Sequence, residues 1–145
     1  MPPVIRRILQ LSAEERRIVA EAVALTPVAA TLIRTLGLER AARLLARGGR
    51  LSPPHIDSQG IAALVNASVS RVGGQCLVQA LVLHGVLARR GLESTIFVGT
   101  ATIDDCFRAH AWVSTGPSTS LPSTSLRAGQ PYRAIWQFPR GRAAA

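Results

Sequence analysis

The chain has no lysine. All 17 basic residues are arginine, set against five Glu and three Asp, and the formal net charge is +9. Such an excess attracts nucleic acid, anionic membrane or acidic peptide without selecting among them. Aromatic residues make up 4% of the chain, and no nucleic-acid-binding motif accompanies the arginines, so a nucleic-acid partner is not expected. Cysteine occurs only at Cys76 and Cys106. Two lone cysteines far apart lack the paired Cys-x2-Cys spacing of structural zinc, and no metal or cofactor is expected. The start, Met1 to Leu9, has too short an apolar run for a targeting segment, so the thiols point to a reducing cytoplasm rather than to a disulfide. No stretch approaches the ~20 consecutive apolar residues of a membrane span. Acidic residues also run out: none occurs from Cys106 to Ala145.

What remains suits one folded unit. At 145 residues and 48% hydrophobic, the chain can bury a core of its own. Residues 1–50 read as a helical arm and residues 51–145 as the main body, within one compact domain. Ser12-Ala13-Glu14-Glu15 has the capping-box pattern, with Ser12 as N-cap, and opens a helix to about Leu25. Thr26-Pro27 reads as the cap and first residue of a second helix ending at Gly37. A third helix covers Leu38 to Arg47, with Arg40, Arg43 and Arg47 on one face and Ala41, Leu44 and Leu45 on the other. That stripe is a solvated face or a docking face for an acidic partner. Pro53-Pro54 marks a linker, and Asp57 caps a fourth helix through Ile61, Leu64, Val65 and Val69.

Gly73 to Val113 holds the chemistry. From Cys76 to Arg90 the chain is apolar nearly all round, the pattern of a central buried helix. Arg89 and Arg90 suit its C-terminal dipole, and Gly91 fits the position just past its end. Cys76 therefore falls in the first turn, among unpaired N–H groups at the positive end of the dipole. That position favours a thiolate and offers donors to an oxyanion. Thr95 to Val98 is β-branched and aromatic, and Ala109 to Val113 alternates with period two, predicting a hairpin joined by a longer loop from Gly99 to Phe107. His110, Trp112 and Ser114 share one face of the second strand; Ala109, Ala111 and Val113 share the other. A helix-start cysteine followed by a strand histidine is a nucleophile and base on two rigid elements. His84 lies about 12 Å along the helix from Cys76 and reads as a core or surface residue. His55 sits in a proline loop.

This order, helix with Cys76, strand, strand with His110, is shared by papain-like and transglutaminase-like cysteine enzymes, and the fold class expected is α+β. Cys76-Leu77 with Ala80-Leu81, then Leu87 to Gly91, Phe97 to Gly99 and Ala109-His110-Ala111-Trp112-Val113, resembles more narrowly the leader peptidases of lasso-peptide (microcin-type) biosynthesis, the maturation B proteins. The resemblance spans about residues 70 to 115. It implies that Cys76 is the nucleophile and His110 the base of a cysteine peptidase that removes the leader from a ribosomally made precursor peptide. It also implies an ATP-dependent cyclase as a working partner. Some family members carry a fused leader-recognition domain. Residues 1–50 read as helices without strands, so leader recognition is expected from a separate protein.

The family pattern places an acid after the Trp-Val pair and a triad Asp about a dozen residues past the His. Here those positions hold Ser114 and Leu121-Pro122-Ser123. Asp104 and Asp105 are the nearest carboxylates in sequence, and a neutral group from residues 116–130 or the last strand, such as Gln130, is the other source of an orienting partner. The residues 116–130, with their near-repeat of Pro-Ser-Thr-Ser-Leu, read as a loop. Tyr132 to Phe138 reads as a further strand. The competing function is a degenerate relative that holds a peptide or partner without cutting it.

Overall fold

A computed structural model describes residues 3–47, 49, 51, 54–115 and 132–139. Among them, five helices precede three strands: α1 (Pro3–Leu9), α2 (Ala13–Leu36), α3 (Leu38–Ala46), α4 (Ser58–Arg71), α5 (Cys76–Arg89), β1 (Thr95–Ile103), β2 (Cys106–Ser114) and β3 (Arg133–Phe138). The axis is α5, whose residues from Gln79 to Leu87 are all buried, as its all-round apolar sequence predicts. Helices α2, α3 and α4 pack on it, and β1 and β2 pack on it as well. The sheet is antiparallel in the order β2-β1-β3. One core joins Ile18 and Ala22 of α2, Leu45 of α3, Val65 of α4, Leu81 of α5 and Ile96 and Val113 of the sheet. This is the α+β architecture expected, a Cys-bearing helix against a small antiparallel sheet. Residues 13–46 share its core with residues 58–113.

Ser12 caps α2 through the full capping box, with Glu15 returning the bond to the Ser12 backbone. The helix does not stop at Leu25. It runs through Pro27 to Leu36, against the reading of Thr26-Pro27 as a restart. Proline removes one backbone donor, at a cost of about 3 kcal/mol in a helix interior. The halves on either side bury Ile18, Ala22 and Leu25, then Ala29, and each large apolar side chain buried contributes about 1.5–3 kcal/mol. Packing on both sides of the break thus holds one axis. Pro27 itself is exposed, and Thr26 and Thr31 Oγ1 donate to the Ala22 and Pro27 carbonyls at 2.7 and 2.8 Å. An 18-residue window of α2 reaches a mean hydropathy of 1.5, enough to cross a membrane by length and composition, but Glu21 and Arg34 interrupt its apolar run and Ile18, Ala22, Leu25 and Ala29 pack into the core.

Two smaller expectations also change. Leu44 lies exposed beside Arg40 and Arg43, while Ala41, Ala42 and Leu45 form the buried face of α3. The β1–β2 hairpin closes not by a long loop but by Asp104-Asp105, both with left-handed φ (50° and 59°), between Ile103 and its partner Cys106. That is the backbone of a two-residue hairpin turn whose twist matches the strands, and Asp is among the residues that tolerate it.

The end of α5 is anchored twice. Glu21 of α2 receives Arg90 Nη2 at 2.8 Å and Arg89 Nη1 at 3.4 Å. His84 pairs with Ser94 Oγ through Nδ1 at 2.8 Å and meets Phe138 edge-on at 5.8 Å. Burial pushes the His84 imidazole down to about 4. Between pH 6.5 and 4 the unfolded chain therefore takes up a proton that the folded chain refuses. Stability present above pH 6.5 should fall as pH drops through that window, by on the order of 2–3 kcal/mol. His110 is shifted the same way and adds to the slope. Urea unfolding at pH 7 and pH 5 checks this, and His84→Gln should flatten the difference between the two.

Candidate active site

The turn before Cys76 is built to a tight specification. Gly73 takes φ 82°, a left-handed value that L side chains rarely adopt. Gly74 lies so close to Val69 that a Cβ there would collide with Cγ1 of that side chain. Its N–H donates to the Val69 carbonyl at 2.9 Å. Gln79, one turn into α5 and 7% exposed, donates through Nε2 to the Gly74 carbonyl and to Ser70 Oγ, both at 3.0 Å. The loop is thus fastened to both helices it joins. Gln75 occupies the N-cap of α5 without a side-chain cap bond, so its side chain does not take up the first-turn N–H groups around Cys76. Cys76 is a free thiol, half-buried against the core.

His110 sits in the middle of β2, opposite Gly99 and 4% exposed. Phe138 meets His84 of α5 and pairs with Ile96, which pairs with Val113. That chain of neighbours identifies Ile96, Val98, Ala111 and Val113 as the helix-side face. His110 belongs to the other face, with Trp112 and Phe97, as the period-two alternation predicts. There the rings form a row: Phe97 stacks on Trp112 at 5.6 Å, Trp112 on His110 at 6.3 Å, and Tyr132 tilts against His110 at 5.4 Å. Gly99 makes the row fit, since a Cβ there would stand 2.7 Å from the Trp112 ring. Burial lowers the imidazole of His110 below its ordinary value, so the ring is held neutral, the form that can accept a proton.

Ser94 is level with His84, although α5 runs on to Arg89, so the chain has turned back and β1 runs antiparallel to α5. Cys76 is eight residues from His84, about 12 Å along the helix. His110 is four residues from Ser114, the partner of Thr95, or about 14 Å along the strand. Thiol and imidazole therefore stand at similar heights on elements that pack together, the thiol on the core side of the sheet and the imidazole on its far face.

The other sequence candidates are placed elsewhere. Asp104 and Asp105 are exposed at the hairpin tip, with Asp105 five residues from His110, about 17 Å along β2. Gln130 and residues 116–130 lie outside the described residues. Cys106 is exposed beside the hairpin tip, His55 is exposed before α4, and His84 is a core residue bound to Ser94. Among the described residues, no three His, Cys, Asp or Glu side chains cluster to hold a metal. Sequence reasoning passed over Gln79, although a lone amide in an apolar helix one turn past a cysteine was a usable signal. It also missed Tyr132, which reaches His110 only through the strand order.

A family model described as the transglutaminase-like superfamily matches residues 19–129, most of the chain. No curated protein and no solved structure matches it significantly.

Proposed function

The chain belongs to the transglutaminase-like superfamily, and from that premise we propose that it is a cysteine peptidase that removes the leader of a ribosomally made, lasso-type precursor peptide. One observation carries this reading: a half-buried thiol lies at the start of a buried helix without a side-chain cap, and a buried imidazole lies on a strand that packs on that helix. In the reaction His110 takes the proton of Cys76 as sulfur attacks the scissile carbonyl. N–H groups of the first turn of α5 receive the oxyanion. The protonated His110 then gives its proton to the leaving amine, and water hydrolyses the thioester to regenerate the thiol.

His110 lies on the far face of the sheet from the core, so this reading requires thiol and imidazole to approach around the free edge of β2, the outermost strand. Trp112 and Tyr132 pack against the ring and restrict its orientation, one of the tasks of the acid in a Cys-His-Asp triad. The partners that follow are the precursor, a separate leader-recognition protein that raises local substrate concentration, and an ATP-dependent cyclase, in the reducing cytoplasm that suits two free thiols.

The test is leader release, followed by mass spectrometry with and without the recognition protein. Cleavage should be poor alone and efficient with it. Asp104→Asn and Asp105→Asn should each slow it less than tenfold, under about 1.4 kcal/mol in the barrier. A loss as large as that of Cys76→Ala would mean that the hairpin tip supplies the acid. The lack of any acidic residue from Cys106 onward favours a second reading, a module that holds the peptide without cutting it. Precursor binding with no cleavage under any partner condition would select that one.

A further inference from the structure

The core-side face of the β1–β2 hairpin changes character along its length. Against α5 it is closed: Ile96, Ala111 and Val113 are 0%, 3% and 2% exposed. Further out on the same face, Thr102 and Ala109 are exposed and Phe107 is 74% exposed. The register puts them together, since Thr102 pairs with Phe107 and Thr100 with Ala109, and Phe107 and Ala109 alternate with Ala111 and Val113. The reason is length. Ser94 is level with His84, and Cys76 lies about 12 Å further along α5. That distance is about three to four residues of strand, which puts the thiol level with Val98 and its partner Ala111. Strand β1 runs on to Ile103, about 17 Å past that level. The outer hairpin therefore overhangs the start of α5, and exposure begins where the helix stops.

We propose that this overhang is a shelf for the peptide that the thiol attacks, with Phe107 the residue that selects an apolar side chain three or four positions from the scissile bond. The inference deepens the peptidase reading and takes the position of the scissile bond from it. The first-turn N–H groups of α5 point out of its N-terminus, into the space that the projecting strands border. Cys76 lies on that same, core side of the sheet. A carbonyl held by those N–H groups thus carries its chain alongside the shelf. The shelf has relief. Thr100 and Ala109, a cross-strand pair of short side chains, form a low floor beside the level of the thiol. Phe107 stands at the outer end, four residues from Ala111, about 14 Å along β2. An extended peptide covers that length in about four residues. Its backbone passes the small pair, and an aliphatic or aromatic side chain meets the Phe107 ring, removing apolar surface from water. Arg133, exposed and paired with Thr100, borders the floor on the β3 side.

The experiment anchors a peptide on the thiol and reads the shelf without cleavage. The full chain carrying Cys106→Ser keeps Cys76 as its one thiol. It is alkylated with acetyl-tetraglycine chloromethyl ketones in which a single Leu is moved from the first to the fourth residue from the reactive carbon. Bromoacetyl-tetraglycine amides with the same Leu scan run the peptide in the opposite direction. All probes are uncharged, so neither Arg133 nor the net charge ranks them. Mass spectrometry gives the labelling rates. In one of the two series Leu at the third or fourth position should speed labelling about three- to tenfold over the all-glycine probe, and Leu at the first position should not. Phe107→Ala should remove that gain and Phe107→Leu should restore most of it. Arg108→Ala, at the exposed neighbour on the opposite face, should keep it. A flat scan in both series overturns the shelf, as does failure to label Cys76, a gain that survives Phe107→Ala, or an equal loss in Phe107→Ala and Arg108→Ala. If the gain depends on Phe107 but the wild-type protein cuts no precursor, the shelf stands and the peptidase reading fails. A flat scan beside efficient precursor cleavage sinks the shelf alone.

Discussion

Cys76→Ala is expected to lower leader release by at least about a thousandfold, equivalent to about 4 kcal/mol in the barrier. The substitution removes the atom that attacks the carbonyl but keeps the first-turn N–H groups of α5 and the Gly73-Gly74 turn. Precursor affinity should therefore hold while turnover vanishes, the mark of a group used in the transition state rather than in binding. Labelling supplies an independent check. Cys106 is exposed and Cys76 only half-buried, so accessibility alone makes Cys106 the faster thiol toward iodoacetamide. An activated nucleophile reverses that order, because the thiolate is the reacting species. Faster labelling of Cys106, together with surviving cleavage in Cys76→Ala, would remove Cys76 from the mechanism.

Glu21→Ala is expected to destabilise the fold by about 3–5 kcal/mol, a large fraction of the 5–15 kcal/mol typical of a domain. Arg90 has a side chain only 5% exposed, and Glu21 is 13% exposed. Arg90 also donates to the Val86 carbonyl at 3.0 Å, so it is tied in place and cannot swing out to water. Without Glu21 its charge stays buried with no counter-ion, and Arg89 loses its partner too. The pair locks the C-terminus of α5 to α2, so the loss is felt far from the thiol. Urea unfolding measures it, with Glu39→Ala as the reference. Glu39 pairs with Arg43 on the exposed surface of α3, where both side chains are more than a third exposed, and such pairs are worth about 0.2–1 kcal/mol. Similar losses for Glu21→Ala and Glu39→Ala would show that the buried network adds nothing. Replacing Glu21 and Arg90 together by apolar residues of similar volume should recover most of the stability.

The local features of the candidate site were legible in the residues themselves. The all-round apolar run of α5 could only be a buried helix. Gly73-Gly74 before Cys76 put the thiol in its first turn, and the alternation from Ala109 to Val113 put His110 on a strand with Trp112 on the same face. Caps written in a few adjacent side chains, Ser12 with Glu15 and Asp57 with Gly60 N–H, were equally readable. These are near-neighbour effects, and periodicity and capping chemistry carry them. Pro27 misled because its local signal is a helix start, and only packing on both sides of it keeps α2 whole. The hairpin tip misled because Asp104-Asp105 adopts its left-handed turn only when both strands extend to meet it. The salt bridge from Glu21 to Arg90 and the contact of Tyr132 with His110 join residues far apart in sequence. No periodicity encodes them, because they exist only once α2, α4 and the sheet close around α5 and the burial of apolar surface sets which side chains face one another.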